Sequence, residues 1–128
     1  MFVNDAATTE HLHARLVDRF GTRLQVVRSF ERYVELTHGA ASKGNAVKWL
    51  SAQWNIPRAE IIAIGDQDND RSMLEYAGLG VAMGNAIEGL KSVAQFVAPS
   101  AAEDGVAVVI ENFLLGRGQT RTNADEGG

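Results

Sequence analysis

The sequence contains no cysteine, which removes a disulfide framework, thiol chemistry and every zinc site built on Cys spacing. That absence fits the cytosol, and a cytoplasmic protein is expected. Long apolar runs are missing as well. No stretch approaches the roughly 18 residues that span a bilayer, and Met1 to Glu10 has no basic segment leading into an apolar one. Neither export nor a membrane anchor is expected. Basic charge is scarce: 12 Lys and Arg stand against 16 Asp and Glu, for a net charge of -4. The basic residues are scattered instead of striped, so nucleic acid is not an expected partner. Two phosphate-loop signatures are also absent. No Gly-x-x-x-x-Gly-Lys-Ser/Thr occurs, and no Gly-x-Gly-x-x-Gly follows a strand-like run. What remains is ordinary for a globular chain, with 45% hydrophobic and 22% charged residues over 128 positions, enough for one domain or pieces of two.

The most informative stretch is Ile61 to Asp70, Ile-Ile-Ala-Ile-Gly-Asp-Gln-Asp-Asn-Asp. A short apolar run ending at Gly65 reads as a strand covered on both faces, as in a parallel sheet. Asp66, Asp68 and Asp70 follow at alternate positions, beyond the carboxyl end of that strand, where open α/β sheets bind ligands. Clustered carboxylates resist desolvation unless a cation joins them, so a divalent metal is one reading, with Asp66 the best-placed ligand. The other is a plain strand-to-helix loop, since Asp, Asn and Gly suit turns and helix caps. A calcium loop of the EF-hand type is excluded: Arg71 stands where its glycine belongs and Ala77 where its bidentate Glu belongs.

Before this stretch, Thr8 or Thr9 is expected to cap a helix with Leu12, Leu16, Val17 and Phe20 on one face and Gly21 at its end. His11 and His13 lie two apart, on different faces, and are expected at the surface. Leu24 to Arg28 and Tyr33 to Thr37 read as strands joined by a hairpin turn at Ser29 to Arg32. Small residues at Gly39 to Gly44 mark a boundary, after which Ser42 caps a helix carrying Ala46, Val47, Leu50 and Trp54. Lys43 in its first turn opposes the helix dipole at a cost of about a few tenths of a kcal/mol. With free backbone N–H groups beside it, such a lysine makes a phosphate site; the plainer reading is a solvated charge.

Beyond the acidic loop, Met73, Leu74 and Ala77 form a helix face that Gly78 stops. Gly80 to Gly84 is a short strand, Asn85 a cap, and Ile87, Leu90, Val93 and Ala94 one face of the next helix. Gln95 to Ala98 is strand-like up to Pro99, and Val106, Val109, Ile110, Phe113 and Leu114 give a helical stripe. From Gly116 the chain is polar and glycine-rich, and a disordered tail is expected. The strict alternation of helix and strand between Ser42 and Leu115 implies a parallel, Rossmann-like α/β sheet with flanking helices.

Five segments together carry a resemblance: Ser-Lys-Gly-Asn-Ala-Val at Ser42 to Val47, Ile-Gly-Asp-Gln-Asp-Asn-Asp at Ile64 to Asp70, Met73-Leu74, Gly-Val-Ala-Met-Gly-Asn-Ala at Gly80 to Ala86, and Glu-Asp-Gly-Val at Glu103 to Val106. From about Val26 to Leu115 the chain resembles the C-terminal half of the Cof-type phosphatases of the haloacid dehalogenase-like superfamily. The resemblance implies a magnesium-dependent hydrolase of phosphate monoesters, often of sugars, working through a transiently phosphorylated aspartate. By it Asp66 and Asp70 are the metal residues, Asp66 as ligand and Asp70 supporting the metal shell. Lys43 offsets negative charge on the nucleophile and the phosphoryl oxygens, and Asn69 places the phosphoryl group or the nucleophile. It divides the chain into residues 1–38, the end of an inserted α/β cap built as a helix plus hairpin, residues 39–115, the C-terminal half of the core, and the tail 116–128. Arg28 on the hairpin is a candidate substrate contact, with a surface arginine as the plainer reading.

The family's Asp-x-Asp-Gly nucleophile motif and the Ser/Thr motif that follows it are not in this sequence, and the contexts of Asp5, Asp68, Asp70 and Asp104 do not substitute for them. The expectation is therefore a truncated chain, little active alone. In the family the missing first strand lies beside Ile61 to Ile64, so an open apolar edge is expected there, seeking a homodimer partner or the missing N-terminal half. The alternative is a non-catalytic remnant that binds a phosphorylated ligand or a protein partner.

Overall fold

A computed structural model describes residues 2–3 and 5–116. The helix-strand alternation folds as two small sheets joined through residues 39–42. The first is antiparallel, in the order β1-β3-β2, from β1 (Phe2–Val3), β2 (Leu24–Phe30) and β3 (Tyr33–His38). β2 and β3 form the expected hairpin, with Gln25 opposite Thr37 and Val27 opposite Glu35. The pairing of β1 with β3 was not foreseen, because two residues carry no periodicity. Helix α1 (Ala6–Phe20) packs on this sheet. Its cap is Asp5, not Thr8 or Thr9: the Asp5 carboxylate accepts the Thr8 N–H at 2.8 Å and the Thr8 hydroxyl at 2.7 Å. Thr9 is fully buried. Gly21 ends the helix as expected, at φ +53. Of the two histidines, His11 is exposed, whereas His13 is half-buried with Nε2 3.3 Å from the Val26 carbonyl.

The second sheet is parallel, in the order β4-β5-β6. It is built from β4 (Ile62–Gly65), β5 (Leu79–Ala82) and β6 (Phe96–Val97), alternating with α2 (Lys43–Trp54), α3 (Arg71–Tyr76), α4 (Glu88–Lys91) and α5 (Gly105–Val109), which runs on as a π turn over Ile110–Leu114. This is the Rossmann-like arrangement expected from the alternation. Leu74, Ala77, Val81, Ala82 and Leu90 are fully buried at its centre, with Val109 closing one side. The Glu-Asp-Gly-Val segment has a local reason. Asp104 turns at φ +55, and a Cβ at Gly105 would fall 1.9 Å from the Pro99 carbonyl oxygen, so only glycine lets the chain pass there.

Several helix faces differ from the expected pattern. On α2, Val47 and Leu50 are half-buried but Ala46 and Trp54 are exposed, because α2 packs mainly on α3 and its last turn extends beyond that short helix. Asn85 does not cap α4; its side chain accepts the Ala101 N–H at 2.9 Å, and α4 begins after Ile87 as a single turn. Of the stripe on α5, only Val109 is buried, while Val106, Ile110, Phe113 and Leu114 are exposed. β4 is not equally covered on both faces: Ala63 and Gly65 are buried, but Ile62 and Ile64 are half-exposed. β4 is hydrogen-bonded to β5 alone, so its outer edge meets no strand among the described residues. Among those residues no helix is long and apolar enough to cross a membrane. The tail 117–128 lies outside them.

Candidate active site

β4 ends at Gly65, and the chain turns through Asp66 and Gln67 into a 3-10 turn, Asp68–Asp70, that leads into α3. Asp70 folds back against the strand end. A Cβ at Gly65 would lie 2.4 Å from the Asp70 Cβ, so the absence of a side chain at Gly65 makes this contact possible. Asp70 Oδ2 accepts the backbone N–H groups of Asp66 at 2.9 Å and Gln67 at 3.1 Å, and the Gln67 side chain accepts the Asp70 N–H in return, a reciprocal cap of the turn.

Asp70 Oδ1 takes a short hydrogen bond from the Lys43 ammonium. This pair spans 27 positions and joins the start of α2 to the acidic loop. Burial alone would raise the Asp70 pKa. The Lys43 hydrogen bond, the two backbone N–H groups and the ammonium charge outweigh burial and hold the carboxyl below the ordinary carboxylate value. The Lys43 side chain is 49% exposed and that of Asp70 6%, so the lysine keeps one side open to ligand while the aspartate is enclosed.

Two of the backbone N–H groups at the start of α2 are already taken by side chains. The Asn45 N–H goes to the Ser42 hydroxyl at 3.1 Å and the Gly44 N–H to the Ser72 hydroxyl at 2.9 Å. Gly44 permits that approach, since a Cβ there would fall 2.5 Å from the Ser72 carbonyl oxygen. The cost of a lysine at a helix start is offset by the Asp70 carboxylate.

Lys43 and Asn69 line one cleft of about 590 Å³ with Ser42, Asp68, Ser72 and, from the hairpin, Glu35 and Thr37. The hairpin side chains follow from register: Gln25, Val27, Glu35 and Thr37 share one sheet face, which turns toward the start of α2. Only the packing of the hairpin over the loop brings these side chains to the cleft. Arg28 is half-buried and lines a different cleft of about 430 Å³ with His13, Glu31, Gln67 and Asp68; it does not share the cleft of Lys43 and Asn69. Asp68 is half-exposed and pairs with Arg71 at 3.5 Å.

Among the described residues no group of three or more His, Cys, Asp or Glu is placed to hold a metal ion. The donor set still suits magnesium in part. The Asp66 side chain enters no hydrogen bond among those residues and is only partly covered, and a hard oxygen donor of this kind is what Mg²⁺ takes, through one or two carboxylates with waters and substrate phosphate completing its shell.

Residues 1–110 match a family model described as haloacid dehalogenase-like hydrolase. The chain is 50% identical over 91 residues to Phosphatase YwpJ of Bacillus subtilis, an alignment covering 71% of this chain and 32% of that protein. A solved haloacid dehalogenase-like hydrolase from B. subtilis superposes with a TM-score of 0.79 at 43% identity, over 88% of this chain and 39% of that one. The sugar phosphatase BT4131 superposes with a TM-score of 0.75 at 28% identity, over 81% of this chain and 40% of the other. The chain thus spans about a third to two-fifths of the length of these relatives.

Proposed function

This chain belongs to the haloacid dehalogenase-like hydrolase family, and we propose that it carries the lysine and metal side of a magnesium-dependent phosphatase acting on small phosphorylated metabolites such as sugar phosphates. The observation that carries this reading is the joining of Lys43 to the Asp66–Asp70 loop through Asp70, with Lys43 and Asn69 on one cleft. A phosphatase needs positive charge and hydrogen-bond donors aimed at the phosphoryl oxygens, and little else from this side of its site.

In this reading the phosphate of the substrate enters the cleft beside Lys43. The ammonium, held on its inner side by Asp70, offsets charge that builds on the phosphoryl oxygens during transfer, and the Asn69 amide orients the same group. Asp66 is the metal ligand contributed by this chain, with Asp70 behind it. Magnesium, when bound, supplies Lewis-acid neutralisation of the phosphate. The attacking carboxylate belongs to an Asp-x-Asp-Gly segment that this sequence does not contain, supplied in frame upstream or by a companion chain. The outer edge of β4, which meets no strand among the described residues, is the place such a strand would join, and it also fits association of two copies of the chain.

The test is hydrolysis of a generic phosphate monoester by the chain, alone and mixed with a fragment bearing Asp-x-Asp-Gly, with and without magnesium, beside Asp66→Ala. Magnesium-dependent turnover in the mixture that disappears in Asp66→Ala is expected. Magnesium binding with no turnover in the mixture would favour instead a non-catalytic chain that binds a phosphorylated ligand or a protein through the β4 edge.

A further inference from the structure

We infer that Glu35 is a specificity-determining residue, selecting phosphate monoesters that carry a protonated amine away from the phosphate over their neutral and acidic analogues. The inference deepens the function proposed above and rests on that reading for the seat of the phosphate beside Lys43. Its basis is a charge on the cleft that nothing in the described fold balances. Of the ionised side chains lining that cleft, Lys43 is paired with Asp70, and Arg71 is paired with Asp68 at 3.5 Å and Glu75 at 3.9 Å. Glu35, half-buried on β3, takes no hydrogen bond or ion pair among the described residues. Its cross-strand neighbour is Val27, which offers no compensating charge.

Partial burial of a carboxylate without a partner costs stability, and a cost of this kind on the wall of a cleft is characteristic of functional positions. The rest of the hairpin wall has the same polarity. Gln25 ties its amide nitrogen to the Gly39 carbonyl at 3.0 Å, which leaves its amide oxygen without a donor among the described residues. The hairpin thus presents acceptors, the Glu35 carboxylate and the Gln25 oxygen, with the Thr37 hydroxyl beside them, while α2 contributes the Lys43 cation to the same cleft. A ligand matched to both is anionic at one end and a positively charged hydrogen-bond donor at the other. A hydroxyl satisfies the acceptors but leaves the Glu35 charge unbalanced, and a carboxylate or second phosphate is repelled by it. The volume of about 590 Å³ is in the range that small-molecule ligands occupy.

Probes that share a phosphate end and differ at the other test this: glucosamine 6-phosphate carries an ammonium, glucose 6-phosphate a hydroxyl and 6-phosphogluconate a carboxylate. Their Kd values are read by NMR shift titration of the full chain at neutral pH with Mg²⁺ present. The amine is expected to bind about three- to tenfold tighter than the hydroxyl, the worth of a partly exposed charge pair, and the carboxylate most weakly. In Glu35→Gln, which keeps the shape and removes the charge, the amine and hydroxyl probes should become equal, whereas Lys43→Ala should weaken every probe. Equal binding of amine and hydroxyl by the native chain, or a preference that survives in Glu35→Gln, overturns the inference alone, with the phosphate seat still supported by the Lys43→Ala result. Absence of binding by every probe overturns the inference together with the reading it rests on. Should Glu35→Gln lose its dispersed amide spectrum, the Glu35 carboxyl ¹³C signal of the native chain decides: a larger shift with glucosamine 6-phosphate than with glucose 6-phosphate supports the inference, and equal shifts refute it.

Discussion

Replacing Gly65 by alanine probes the seat of Asp70 against the end of β4 without touching a charged group. The added Cβ would stand 2.4 Å from the Asp70 Cβ and 2.7 Å from its Cγ and Oδ2. These are the inner atoms of a side chain held by three partners, not the loose end of a long one, so Asp70 has to swing away from the strand. The swing breaks the hydrogen bonds from the Asp66 and Gln67 N–H groups, and hydrogen bonds to a charged group contribute about 1.5–3 kcal/mol. Crowding of a packed position adds about 1–3 kcal/mol, and the restricted unfolded chain of alanine returns about 0.4–1 kcal/mol. With two such bonds lost, the expected net loss is at least about 3 kcal/mol, read as a lower urea midpoint with an unchanged slope. Gly89→Ala is the internal comparison: its Cβ meets only the guanidinium end of Arg71, at 3.0 Å, and the change should stay within about 1 kcal/mol of the native protein. A Gly65→Ala protein within about 0.5 kcal/mol of native would mean that Asp70 can leave its place at no cost, and the reasoning that its hydrogen bonds hold the turn after β4 would fail.

Because the folded state holds the Asp70 carboxyl below its ordinary pKa, its ionised form adds stability that is present above the unfolded value of about 3.9 and is lost as pH falls through the lowered folded value. Urea midpoints of native and Asp70→Asn proteins should therefore converge as pH drops below about 4; a gap that stays constant down to the acid limit of folding would contradict this. Arg58→Ala should cost about 1–2 kcal/mol, since this side chain donates to the Glu75 carbonyl at 3.0 Å and to that of Tyr76 at the end of α3, and lies 5.7 Å from the Tyr76 ring centroid; an unchanged thermal midpoint would argue against it. The outer edge of β4, which meets no strand among the described residues, leads us to expect concentration-dependent association in sedimentation velocity, and a monomer at every concentration tested would count against an edge that recruits a second strand.

Much of the fold was legible because its signals are local. The apolar run ending at Gly65, the serine before α2 and the spacing of helices and strands were read correctly, since a strand needs its alternation or apolar run and a helix its cap within a few residues. Errors arose where the partner of a residue lies far along the chain. Asp5 is the cap instead of the threonines because the helix starts at Ala6, two residues before Thr8, and the Asp5 carboxylate meets the Thr8 N–H of its first turn. Trp54 and the α5 stripe look like core by period, yet period says which face is apolar and nothing about whether another element arrives to cover it.

The sequence by itself determined the elements, their order, the parallel sheet and the residues Lys43, Asp66, Asn69 and Asp70 as those to examine, because each is marked by spacing or by a motif. Only the tertiary structure decided what those residues do to one another. Ser42 and Ser72 took the N–H groups of Asn45 and Gly44 beside Lys43, Asp70 met its ammonium from across the fold, and the hairpin turned polar side chains over the cleft. Hydrogen bonds and ion pairs act over about 3 Å, and which groups come within that distance depends on how separate elements pack, a relation no local stretch of sequence contains.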